Sequence, residues 1–420
     1  MREGVLSKVA VVNIDQLVTL AGPARARVAE EMRELGLLSD AALLLENGRI
    51  VSVGAYADLR SRIDADTQVI DAAGRLVTPG FVDAHTHLIF AGNRAAEFEQ
   101  RIGGATYQEI AAAGGGIQST VALTRAATED ELLAQARKHR DWMLRGGTTT
   151  LESKSGYGLN RETELAQLRV MARLEDEGPV RIVPTLLAAH TVPKEMADRR
   201  GEYLEWIARE LIPEVKALGL ARYCDAFCDD HAFTVAELRP VLEAARRHGL
   251  GLRIHAEQFR PGTGAALGAE LGAATVDHLE MVTGESLRLM KAANVQPVLL
   301  PASVFCLGRE HYPPARQMIE LGLPVVVATD FNPGSSPAPS MLFTMALSCI
   351  QMRMLPSEAL VAATVNAAYS LGLGAEVGSL EIGKAADFVI HECADYRELA
   401  YYVAAPARPR VFVAGVEVSQ

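Results

Sequence analysis

The chain has 420 residues, 49% of them hydrophobic and 22% charged, enough for one large globular domain and a smaller one. Its net charge of −11 argues against nucleic acid or an anionic membrane as a partner, since both recruit basic faces. No apolar run approaches the roughly 18 residues that cross a bilayer, and the opening Met1-Arg-Glu-Gly-Val-Leu-Ser-Lys has no secretory apolar core. Five scattered cysteines, Cys224, Cys228, Cys306, Cys349 and Cys393, suit reduced thiols, so the expected location is the cytoplasm. Cys224 and Cys228 have loose metal-like spacing but no second pair to complete a site, and are read as core residues.

In chain order, the first elements are β-runs. Ala41-Ala-Leu-Leu-Leu and Ile50-Val-Ser-Val-Gly flank Glu46-Asn-Gly-Arg, a strong hairpin signal. The other end has the same character in Leu380–Ile390 and Arg410–Val418. Neither end can bury a core alone, so residues 1–76 and 374–420 are expected to form one composite β-sandwich domain. Between them, over 77–373, eight apolar runs alternate with helical stretches: Phe81–His87, Thr148–Ser153, Val180–His190, Tyr223–Asp230, Gly251–Glu257, Ala273–Leu279, Val295–Ser303 and Pro324–Asp330. Helix-like spacing is clear in Thr163–Met171 and Thr234–Ala245. Continuous apolar strands alternating with helices imply parallel pairing, and eight of them predict an α/β fold of the TIM-like (β/α)₈ barrel type. Gly114-Gly-Gly, in the longest gap, reads either as a flexible loop near the site or as a linker.

The chemistry collects at the C-terminal ends of these runs. His85 and His87 close the first, His190 the third, His255 the fifth, His278 the sixth and Asp330 the eighth. In a barrel those ends converge on one face. Residues two apart on a strand point the same way, so His85 and His87 can reach one ion. One strand-end histidine is more often structural; this many at separate ends is hard to assign to chance. Three imidazoles and a carboxylate suit one divalent or trivalent ion, zinc or iron, with a position left for water. Asp330 can also accept a proton from that water, and His278 is better placed as a proton carrier or carbonyl polariser than as a ligand.

Pro79-Gly-Phe-Val-Asp-Ala-His-Thr-His, His255, Ala328-Thr-Asp330 and Gly383-Lys-Ala-Ala-Asp-Phe-Val resemble the amidohydrolase superfamily. More specific stretches are similar to its imidazolonepropionase family: His87–Arg94, Gly114-Gly-Gly-Ile-Gln-Ser-Thr-Val, Glu152-Ser-Lys-Ser-Gly-Tyr157-Gly-Leu, Asp225-Ala-Phe-Cys-Asp, Asp277-His-Leu and Ala328–Ser336. The resemblance covers nearly the whole chain in order. It implies hydrolysis of the cyclic amide of 4-imidazolone-5-propanoate to N-formimidoyl-L-glutamate in histidine degradation, with His85, His87, His255 and Asp330 as metal ligands. It also implies substrate contacts from Arg94, Tyr157 and His190, and a homodimer is common in the superfamily. A guanidinium at Arg94 matches a propionate with two donors. Amides of the Asn332, Gly334 and Ser335 turn are expected to hold the product's carboxylate.

Two positions depart from the superfamily pattern or raise a question. Many members place a glutamate three residues after the fifth-strand histidine; here Gln258 stands there, and it cannot transfer a proton. Gln258 is therefore assigned to substrate orientation, proton transfer to Asp330 and His278, and Glu257 is expected to point the other way. Lys154, which in some relatives would bridge two metals, is read as a loop residue with a structural or substrate-side role. Two rivals are a deaminase on the same scaffold, disfavoured by Gln258 and Arg94, and a metal-free binding barrel.

Overall fold

The computed structural model describes residues 8–105, 109, 114–230, 232–406 and 408–418. Four strands come from the N-terminal side: β1 (Lys8–Val18), β2 (Leu37–Glu46), β3 (Arg49–Ala55) and β4 (Gln68–Pro79). β2 and β3 form the hairpin, and both turn residues adopt positive φ, Asn47 at 52° and Gly48 at 75°, as a tight two-residue turn demands. A Cβ on Gly48 would also lie 2.9 Å from that of Ala414, so glycine is required there twice over.

Eight barrel strands follow: β5 (Phe81–Asp83), β6 (Thr148–Lys154), β7 (Arg181–Ala189), β8 (Tyr223–Cys228), β9 (Gly251–Ala256), β10 (Thr275–His278), β11 (Gln296–Leu299) and β12 (Val326–Val327). Each pairs in parallel with its successor. The ring closes just beyond the ends of β12 and β5. Asp330 N–H donates to His85 O (3.0 Å) and His87 N–H to Phe331 O (2.9 Å). The seam is reinforced by Asp83, whose carboxylate accepts the Thr329 hydroxyl at 2.5 Å and its amide at 3.1 Å. The eight-stranded parallel barrel is thus present, with two boundary corrections. The first apolar run leaves the ladder after Asp83, because the chain beyond it bonds to the seam instead. The seventh stops at Leu299, because Pro301 opens a short helix, Pro301–Cys306, that takes up Ser303.

The expected helices run Arg161–Asp176, capped by the Asn160 side chain, and Val235–Arg247, opened by a Thr234–Glu237 capping box. Gly116 lies at φ 75° and caps the helix Ile117–Ala126, its N–H donated to Glu97 Oε1 at 3.1 Å. The described part of the glycine triplet therefore leads into a helix beside the pocket.

The chain returns through β13 (Phe388–Ile390), β14 (Arg410–Val413) and β15 (Val416–Glu417), which join the first four strands in the order β15-β14-β13-β4-β1-β2-β3. This single sheet curls until the β2–β3 hairpin meets the segment leading into β13: Ala386 N–H donates to Gly48 O (2.9 Å) and Ile50 N–H to Lys384 O (3.0 Å). Val11, Leu43, Ile70, Phe388 and Phe412 share the core inside the curl, where the two phenylalanine rings stack at 4.4 Å. The sandwich is one sheet folded over itself.

Candidate active site

The described C-terminal strand ends converge on a cavity of about 740 Å³ whose lining includes His87, His190, His255, His278 and Asp330. The chain turns sharply here. Glu257 (φ 52°), His278 (80°), Leu279 (68°) and Asp330 (53°) all hold positive φ without being glycine. Such strain persists only where surroundings over-determine it, and here it aims side chains out of the barrel ends.

His85 is central. Its ring lies 4.5 Å from that of His255 and 5.4 Å from that of His87. Asp330 Oδ1 is 3.5 Å from Nε2 of both His85 and His87. Ligand atoms of His85, His87 and Asp330 lie within 4.8 Å of one another, as do those of His85, His255 and His278. The Nε2 atoms of His85 and His255 are buried with no hydrogen-bond partner among the described residues. Their Nδ1 atoms are engaged, His85 with Asp277 Oδ2 at 2.6 Å and His255 with Asp225 Oδ1 at 3.0 Å. A carboxylate only accepts, so each Nδ1 carries the proton and each Nε2 presents a lone pair. Orphaned lone pairs aimed at a common point beside a carboxylate fit a metal ion. Burial opposes the charged form of His255 and lowers it to about 3, which leaves the neutral imidazole that a metal needs.

Beneath these histidines lies a buried charge cluster. Lys154 Nζ donates to Glu152 Oε1 at 2.7 Å, forms an ion pair with Asp225 Oδ2 at 2.8 Å, and stands 3.8 Å from Asp277 Oδ2. Arg253 Nη2 lies 3.5 Å from Asp277 and donates to Ala84 O at 2.7 Å. Burial alone would neutralise these groups, but mutual attraction wins. Asp225 is held well below the usual carboxylate range by His255 and Lys154, and Lys154 is raised by Asp225 and Glu152. Lys154 is thus the last residue of β6, fully buried, and not on a loop. The orienting roles of Asp225, Asp277, Glu152 and Arg253 are missed by the sequence reading. A signal exists: charged residues at inward positions of otherwise apolar strands, two apart in Glu152/Lys154 and Arg253/His255, need partners.

His278 Nδ1 faces Glu280 Oε1 at 3.4 Å. Burial works against its charge, yet Glu280 and nearby Asp330 raise His278 above an ordinary histidine. For Asp330 burial is outweighed by His85, His87 and His278, which keep its carboxyl well below the usual range. Glu257 points away from the cavity and accepts Ala265 N–H at 3.1 Å, at the start of the helix Gly264–Leu271; burial pushes it up to about 7.

The remaining predicted residues line the same cavity. Arg94 donates Nε–H to Thr120 Oγ1 at 2.9 Å and makes no ion pair among the described residues. Its guanidinium rests on Gly334, where a Cβ would sit 2.5 Å from Nη1. His190 Nδ1 donates to Gly156 O at 3.0 Å, which leaves Nε2 as an acceptor; its ring stacks on His87 at 5.3 Å. Burial, with the neighbouring His87 and His255, lowers His190 well below the ordinary range, so it is neutral. Tyr157 packs between the rings of His87 and His190, at 5.9 and 5.6 Å, and burial raises its hydroxyl so that it stays protonated. Gln258 and Phe259 are anchored by amides donated to Asp229 Oδ2 at 3.0 and 2.9 Å. The Gly334 and Ser335 amides are already donated to Asn332 Oδ1, both at 2.8 Å, while Asn332 Nδ2 donates to Asp330 O at 2.7 Å. The turn that was expected to offer these amides to a carboxylate spends them internally, on holding Asp330.

Residues 76–418 match the Amidohydrolase family. The chain is 53% identical to a protein named imidazolonepropionase from Solibacter usitatus, over 98% of each chain. It is 46% identical to one of the same name from Symbiobacterium thermophilum, over 94% of this chain and 93% of that one. Among solved structures, a 5-methylcytosine deaminase from Klebsiella pneumoniae superposes with a TM-score of 0.71 at 18% identity, covering 98% of this chain and 97% of the other, a likeness of fold.

Proposed function

The chain belongs to the amidohydrolase family, among the imidazolonepropionases that hydrolyse a cyclic carbon–nitrogen bond in histidine degradation, and on that premise we propose how its residues open 4-imidazolone-5-propanoate. His85, His87, His255 and Asp330 would hold one zinc or iron ion. When bound, the ion supplies a Lewis acid and makes water acidic enough to attack near neutral pH.

The chain's own groups do the rest. Arg94 takes the propionate as a planar two-donor clamp, supported by its making no ion pair among the described residues. Tyr157 and His190 pack against the flat ring, the neutral His190 accepting a ring N–H at Nε2. The Gln258 amide orients the ring but moves no proton. Asp330, ionised beside its histidines, accepts the water's proton as attack begins. His278, which Glu280 helps to protonate, delivers a proton to the departing ring nitrogen. The carbon–nitrogen bond breaks and the former ring carbonyl leaves as the α-carboxylate. Asn332, Gly334 and Ser335 serve by seating Arg94 and Asp330 at one distance from each other.

One observation carries the reading: a guanidinium with no ion pair among the described residues, on the wall of a cavity that also presents orphaned histidine lone pairs. A deaminase would have no use for that clamp. Freshly generated 4-imidazolone-5-propanoate should lose its ring absorbance on adding the metal-loaded protein, and formimidoylglutamate should appear, beyond a no-enzyme control. His255→Ala and Asp330→Ala should lose both bound metal and turnover; full activity in either would reject the assignment. We propose a cytoplasmic homodimer acting on this small molecule, with no nucleic-acid or membrane partner; the charge of −11 disfavours nucleic acid and anionic membranes, which recruit basic faces.

A further inference from the structure

Three arginines, not one, line the cavity: Arg94, Arg101 and Arg309. Arg101 lies in the last turn of the helix Ala95–Ile102, and Arg309 lies in the loop after Pro301–Cys306. Both side chains are half-buried, and neither forms an ion pair among the described residues. Each is instead laid over an aromatic ring. Arg309 sits 4.8 Å from the centroid of Phe259, whose backbone is fixed on Asp229, and Arg101 sits 5.9 Å from that of Phe98.

Two acidic side chains line the same cavity. Asp330 belongs to the metal cage, and Glu97 accepts the Gly116 amide while keeping its negative charge. Among the described lining residues three guanidinium groups thus outnumber two carboxylates, on a molecule whose net charge is −11. A free carboxylate approaching such a molecule is repelled over most of its surface. Cations lining one cavity, with no ion pair among the described residues, reverse that field where it matters.

We propose that Arg101 and Arg309 form an anion-collecting mouth that draws a carboxylate-bearing substrate toward Arg94. The inference rests on the reading of the substrate given above. It separates two tasks: Arg94 fixes the carboxylate in the productive pose, and the outer pair raises the concentration of anions at the opening.

The test compares initial rates of the parent, R101Q/R309Q and R101K/R309K on 4-imidazolone-5-propanoate as salt rises from low ionic strength to about 0.5 M. In the glutamine variant kcat/KM should fall about tenfold at low salt, with kcat within about twofold and metal content unchanged. The gap should close at high salt, where screening removes the same advantage from the parent. The lysine variant should keep most of the parent's kcat/KM and its salt slope. Equal values and slopes in parent and glutamine variant would overturn the proposal. So would a loss that persists at high salt, or a lysine variant as impaired as the glutamine one. A parent that never consumes this substrate would instead bring down the substrate reading itself, and this inference with it.

Discussion

A residue here is defined by what it is paired with, and the sharpest contrast is between Arg94 and Arg253. Arg253 is fully buried and lies against Asp277 and Glu152, so its charge is spent inside the barrel. Arg94 holds one hydroxyl and leaves the rest of its guanidinium to the cavity. Arg94→Met should raise KM roughly 10- to 100-fold, the worth of one or two charge-assisted hydrogen bonds, without loss of bound metal. Steady-state kinetics beside metal analysis would show it, and an unchanged KM would remove the clamp. The sequence makes Arg94 and Tyr157 readable through local motifs, and His190 as the end of an apolar run. It hides the cluster of Glu152, Lys154, Asp225, Arg253 and Asp277, because a charge inside an apolar strand finds its partner only once the barrel has formed. The Asn332 turn fails for a related reason: sequence marks it as a turn but does not say which acceptor takes its amides.

Elements matter most where the barrel closes. β5 and β12 are short, and the join is made by polar atoms at and beyond their ends, Asp83 closing β5 and Thr329 following β12. The Thr329 hydroxyl donates to Asp83 and accepts Phe331 N–H at 3.1 Å, so its removal strands two buried partners. Thr329→Val should cost about 2–3 kcal/mol in denaturant unfolding, and Thr329→Ser should recover most of it. Equal stability of valine and threonine forms would mean that the seam is held by its backbone alone. All eight strands were legible as apolar runs. Their ends were not, because an apolar stretch does not announce where its hydrogen bonds pass from ladder to seam or where Pro301 begins a helix.

At the scale of the molecule, barrel and curled sheet meet at His391. Its Nε2–H donates to Thr78 Oγ1 at 2.9 Å, since that hydroxyl's own proton goes to Pro79 O, and its ring approaches Phe81. Burial lowers it to about 3, against 6.5 for an ordinary histidine. Below pH 6.5 the unfolded chain takes up a proton that the folded one refuses, so stability falls as pH drops from about 6.5 toward 3. The slope from this one group approaches about 1.4 kcal/mol per pH unit. His391→Asn should flatten that limb relative to the parent in unfolding measured between pH 6.5 and 4; parallel curves would show that the group takes no part. The composite sheet was foreseeable from two short β-rich ends that needed each other, though its curl was not, since contacts such as Ala386 to Gly48 leave no local pattern. That sheet also sets a schedule. β13 supplies the partner for one edge of β4, yet it is synthesised roughly three hundred residues later. At cellular rates of about 5–20 residues per second, that edge emerges from the ribosome and waits some 15–60 s, with the whole barrel made in the interval. The nascent chain thus carries an open strand edge for most of its own translation, and a premature stop anywhere before β13 would leave it open for good.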